Sequence, residues 1–104
     1  MDKLSEARSK KLLKVLKELG SGKNKVADFL HKEKIKGISH DCYYCPIAVF
    51  LKKNFPKALE VEVDCNTVYL TFDNSPMVCK SLPKAVRDFI CDFDTGEKYG
   101  FLKK

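Results

Sequence analysis

His40-Asp41-Cys42-Tyr43-Tyr44-Cys45-Pro46 gathers more chemistry than any other stretch of this chain. Two cysteines at C-x-x-C spacing, with a histidine two residues ahead, can bite one tetrahedral zinc ion. A structural zinc site needs four ligands, and the sequence has no second C-x-x-C or C-x-x-H. Cys65, Cys79 or Cys91 would have to complete the shell from elsewhere. No cofactor is expected, with zinc on His40, Cys42 and Cys45 as the alternative; the plainer reading is packing cysteines.

Cys45 also falls where Pro46 should begin a helix, and free amides with the macrodipole lower a thiol pKa there. His31 or His40 would be its base. Nothing in the sequence orients either histidine, and no Gly-rich phosphate loop, His-Glu zinc motif or hydrolase-like carboxylate cluster is present. The chain therefore reads as no enzyme, a Cys45 nucleophile being the residual possibility.

The same helix start suggests an anion site. Its N–H groups would hold a phosphate while Tyr43 and Tyr44 stack on a nucleobase. Cys45 and Ile47 would line that site, and Lys52, Lys53 or Lys80 would supply counter-charge. The plainer reading makes both tyrosines core or rim residues covering a hairpin.

These residues need elements to position them. Leu4, Ala7, Leu12, Val15, Leu16 and Leu19 recur at three- and four-residue steps, which predicts an amphipathic helix over 2–19, ended by Gly20-Ser21-Gly22. A shorter helix follows at 24–33, with Val26, Phe29 and Leu30 inward, then a connector over 35–39. Pro46 opens a third helix, 46–54, stopped by Asn54-Phe55-Pro56. Leu59–Asp64 alternates strictly, and Cys65-Asn66 turns it into a strand over 67–72, forming a hairpin. Asp73-Asn74-Ser75-Pro76 is a turn, and residues 77–80 add a short third strand. Ser81 is expected to cap a last helix with Pro83 in its first turn and Val86, Phe89, Ile90 and Phe93 inward, ending at Thr95-Gly96. Asp88 and Asp92 share a face of that helix and read as a solvated acidic stripe.

The result is one α+β domain over 1–104, helices packed on a two- or three-stranded antiparallel meander in the order α-α-α-β-β-(β)-α. Residues 1–36 form a basic helical extension, 40–96 the core unit, and 97–104 a loosely packed basic tail. Exposed sheet edges suggest a homo-oligomer.

A 44% apolar content makes the 104-residue chain globular, and no apolar run approaches the length of a membrane span. With no apolar signal core and an odd count of five cysteines, a cytoplasmic location without membrane partners is expected. Cys65, Cys79 and Cys91 read as buried packing residues. The charge is uneven: residues 1–36 hold eleven Lys/Arg against five acids, the rest nine against nine, so the whole net +6 lies in the first third. Lys3, Lys10, Lys14 and Lys17 share the outer face of the first helix, with Arg8 and Lys11 beside them, and could follow a phosphate backbone. No aromatic residue interleaves with them, so base reading is poor, and plain solvation is the competing account.

Cys45-Pro46-Ile47-Ala48, then Val68-Tyr69-Leu70, then Leu82-Pro83 opening a helix that ends Phe93-Asp94-Thr95-Gly96, resembles a set of small bacteriophage-encoded proteins. The resemblance spans residues 45–101; the tail reads Tyr99-Gly100-Phe101 where that set has a Pro-Phe pair. It implies the same fold, a phage origin and a host-directed role. Together with the basic balance, it leads to an expected anti-defence accessory protein, an oligomeric sponge that sequesters an anionic nucleotide-like host signal. The alternatives are a nucleic-acid binder using the first helix and a protein–protein inhibitor of a host enzyme.

Overall fold

Helical periods come first along the chain and strand periods follow before a last helix, and their apolar stripes meet in one core. The computed structural model describes residues 3–73, 75–96 and 98–104. Asp2 of the expected first helix, Asn74 of the turn and Glu97 of the tail lie outside the described residues. The elements are α1 (Lys3–Glu18), α2 (Lys23–Lys32), α3 (Pro46–Asn54), β1 (Glu60–Val63), β2 (Thr67–Thr71), β3 (Val78–Ser81), α4 (Lys84–Thr95) and a closing 3₁₀ turn, Gly100–Leu102. The fold is α+β: four α-helices and a three-stranded antiparallel meander in the order β1-β2-β3.

Alternation sets the sheet. Val61, Val63, Val68, Leu70 and Val78 turn inward, and the pairs Glu60–Thr71, Val63–Val68 and Leu70–Val78 fix the register. The Asp64 carboxylate accepts from the amides of Asn66 and Thr67 at 2.7 and 2.6 Å, closing the β1–β2 turn as its Asx side chain dictates. Against this face α1 packs on β3, α3 on β1, and α2 pairs with α4. Leu12, Leu16, Val26, Leu30, Ile47, Leu51, Val86 and Phe89 are all shut off from solvent in one cluster. Residues of the basic N-terminal third thus belong to the same core as the hairpin. Gly20 makes the α1–α2 corner possible: its φ is +133°, and a Cβ there would come within 2.9 Å of the Lys25 Cβ.

Several expectations change. Ser81 does not cap α4, because Leu82 N–H donates to Asn66 C=O (2.8 Å) and keeps this backbone in the sheet ladder; Pro83 takes the cap position. Leu4 and Ala7 are exposed, since the first turn of α1 faces an open groove rather than the core. The tail is docked: Tyr99 and Leu102 are buried, Tyr99 Oη donates to Asn24 Oδ1 (2.7 Å), and Gly37 pairs with the backbone of Leu102 and Lys104. Cys65, Cys79 and Cys91 are exposed, placed by the hairpin turn, the outer face of β3 and the outer side of α4. Asp88 and Asp92 are ion-paired, with Lys84 and Lys23, each at 2.7 Å. No described helix is long and apolar enough to cross a membrane.

Candidate functional site

Segment 40–46 is built by its own polar groups. Asp41 Oδ1 accepts from the amides of Tyr43 (2.9 Å) and Tyr44 (3.0 Å), and Asp41 C=O accepts from Cys45 N–H (3.0 Å). His40 adopts the left-handed region (φ +59°), and its amide donates to Asp94 Oδ1 on α4 at 3.0 Å. Val63 N–H donates to Cys42 C=O, pinning the loop to the outer edge of β1. Cys45 is the N-cap of α3, its Sγ accepting from Ala48 N–H at 3.4 Å.

That cap closes the site. Cys45, Pro46, Ile47 and Ala48 are buried, and a Cβ on Gly37 would lie 2.3 Å from Pro46 N, so the connector sits directly on the helix start. The amides expected to hold a phosphate are covered. Beside them a pocket of about 210 Å³ is lined by His40, Asp41, Cys42, Cys45, Asp64, Cys65, Ile90 and Asp94 among others. It unites the H-x-C-x-x-C set with Cys65. Even so, no group of three or more His, Cys, Asp or Glu among the described residues could hold a metal ion.

Electrostatics there disfavour anions. Burial pushes the Cys45 thiol up to about 11, outweighing the Ala48 and Ile47 amides that act the other way. This reverses the expected lowering at a helix start. Desolvation and Glu62 raise Cys42; the charges of Glu62 and Glu60 raise Tyr43. Tyr43 and Tyr44 are 43% and 61% exposed. The lysines meant to accompany them are elsewhere: Lys52 donates to the carbonyls of Pro56 and Ala58 beyond the opposite end of α3, and Lys53 is on that same last turn. Lys80 is on β3, the far side of the sheet, facing a cleft with Ser5 and Ser9. His31 packs edge-on against Phe101, 5.1 Å between ring centres.

The basic helix divides into two sets. Lys3, Lys10, Lys14 and Lys17 are exposed in one line opposite Leu12, Val15 and Leu16, running about 21 Å at 1.5 Å per residue. The two ion pairs among the described residues involve other helices. Arg8 and Lys11 turn away from this line. The Arg8 guanidinium lies 3.7 Å over the Phe72 ring, with Nη1 buried and without a hydrogen-bond partner. Lys11 Nζ donates to Asn54 C=O (2.6 Å) and lies 4.7 Å from the Phe55 ring centre. Both line an open groove of about 470 Å³ between α1, the turn 54–57 and Phe72. The sequence reading missed this groove because Phe55 and Phe72 end elements far apart in the chain; the exposed ends of the α1 apolar stripe, Leu4 and Ala7, were its one signal.

No protein-family model matches the chain, and no curated protein or solved structure does.

Proposed function

We propose that this is a non-enzymatic accessory protein of the bacteriophage type that acts in the host cytoplasm by binding an anionic, nucleotide-built partner on the outer face of α1. The observation carrying this reading is the lysine line. Four cationic side chains stand in register over about 21 Å, outside both ion pairs, on the third of the chain that holds the whole positive excess. Duplex nucleic acid presents about one charge per 1.7 Å, so such a line meets several phosphates at once. Lysine is a flexible point charge without the planar fork that reads guanine, and no aromatic ring interrupts the row. Binding is thus to the backbone, without base sequence. The buried, neutral Cys45 thiol supports a non-catalytic role.

The test is fluorescence anisotropy with a duplex of about 20 base pairs across a salt series. Four phosphate contacts give a slope of log K against log salt near −3.6. Charge reversal at Lys10, Lys14 and Lys17 should abolish binding, whereas salt-independent binding, or binding that survives the reversal, would sink the reading.

A second reading keeps the partner small, a nucleotide-like defence signal enclosed by an oligomer. It is favoured by the exposure of both Tyr43 and Tyr44 and by the sheet edge at β3 where two copies can pair. Native mass spectrometry with a panel of cyclic nucleotides decides it: a bare monomer that retains none removes it.

A further inference from the structure

Among the described residues lining the groove beneath α1 are three cations, Arg8, Lys11 and Lys57, and no carboxylate. The walls are apolar: Leu4, Phe55, Pro56 and Phe72. Lys11 is already committed to Asn54 C=O, at the negative end of α3. Arg8 is not. Phe72 covers one face of its guanidinium, and the buried Nη1 donates to nothing.

Arg8 as a whole is only part-buried, so the remaining edge of its guanidinium is open to an anion entering the groove. Guanidinium takes a carboxylate or phosphate in the most directional way available to a side chain. The groove volume, about 470 Å³, falls in the range of small-molecule sites. We propose that this groove binds a small organic anion, a single carboxylate or phosphate carried on an aromatic or aliphatic body. Arg8 receives the charged group, Lys57 draws it in from the rim, and Phe55 and Leu4 take the apolar part.

This site is separate from the lysine line. A polymer backbone would lie along Lys3, Lys10, Lys14 and Lys17, whereas the groove ligand lies on the flank of α1 that carries Leu4, Arg8 and Lys11. The acidic pocket beside Cys45 offers the opposite sign and serves as an internal contrast.

The probe is 8-anilinonaphthalene sulfonate, an aromatic anion, titrated into the full-length protein and then displaced by adenosine monophosphate or by decanoate. Saturable one-site binding with displacement is expected. Displacement by the nucleotide alone names a nucleotide-type phosphate, and displacement by decanoate alone names a fatty carboxylate. Arg8→Leu should weaken binding at least roughly tenfold, and Lys57→Glu, an exposed change that leaves the core intact, should weaken it several-fold. The triple reversal at Lys10, Lys14 and Lys17 should leave it unchanged, so failure of the groove and failure of the lysine line are told apart. Non-saturating binding, failure of both competitors, or an undiminished affinity in folded Lys57→Glu would each overturn the proposal.

Discussion

The pocket beside Cys45 and the groove beneath α1 are both lined by ionisable side chains, yet they use them in opposite ways. Beside Cys45, most polar groups already have a structural task. Asp41 closes the turn, Asp94 holds the His40 amide, Asp64 holds the hairpin, and Cys45 caps α3. In the groove, cations rest on aromatic rings and one of them has a buried, unpartnered nitrogen. A dense cluster of reactive residue types is therefore no sign of free reactivity when most of its carboxylates and its buried thiol satisfy neighbouring backbone groups. Spare capacity lies where the sequence is chemically monotonous.

The hardest way to break this contrast is at Gly37. Its missing Cβ lets the connector lie on the start of α3, where any side chain would meet Pro46 N at 2.3 Å and Cys45 C at 2.6 Å. Backbone cannot give way as a flexible side chain does, so Gly37→Ala should cost about 3 kcal/mol or more in urea unfolding. Lys57→Ala on the exposed groove rim should stay within about 0.5 kcal/mol. Equal losses at the two positions would remove the distinction between a closed structural corner and an open site.

A comparable effect is expected at alkaline pH. The Cys45 thiol is raised from its ordinary 9.0 to about 11 in the folded chain. Between those values the unfolded chain has released the proton that the folded chain keeps. Stability is intact below pH 9 and falls by about 3 kcal/mol as the pH rises to about 11. Cys42, Tyr43 and Tyr99 are raised as well, so Cys45→Ala should reduce the slope without flattening it. Thiol labelling of the native protein reads the same burial directly. Cys65, Cys79 and Cys91 should react readily, and Cys45 only on unfolding. Rapid labelling of Cys45 in the native state would contradict the closed corner.

The elements were largely legible because local rules and the global fold agree. Pro46 opens α3 and Asn54 ends it at the expected residues, and the alternation of Glu60–Val63 is the alternation of the sheet. What sequence periodicity lacks is third-dimensional context. It assigned Leu4 and Ala7 to the inner face of a helix whose first turn overhangs a groove. It left the tail loose because residues 98–104 have no period, although Tyr99 and Leu102 fill the core by a long-range hydrogen bond and a single bridge to Gly37. It treated the helix start at Cys45 as open, because nothing local indicates that Gly37 lies across it. The pairing of Arg8 with Phe72, 64 positions apart, was beyond any window.

A smaller effect than that at Gly37 or at Cys45 sharpens the contrast from the groove side. Lys11 makes a hydrogen bond to a carbonyl at the end of α3 and a ring contact with Phe55, both at the surface. Each is worth a fraction of a kcal/mol where water competes, so Lys11→Ala should destabilise by only about 0.5–1 kcal/mol. Lys11→Met retains the apolar stem over the ring and removes only the charge. If the stem supplies most of the contact, Met should recover more than half of the Ala loss in thermal unfolding. If charge supplies it, the two variants should match, and the loss should shrink in high salt. The first outcome means that cations reach the groove on stems chosen for packing, with their charges left over. That surplus is the property that separates this region from the pocket beside Cys45, where most charges already have a structural partner.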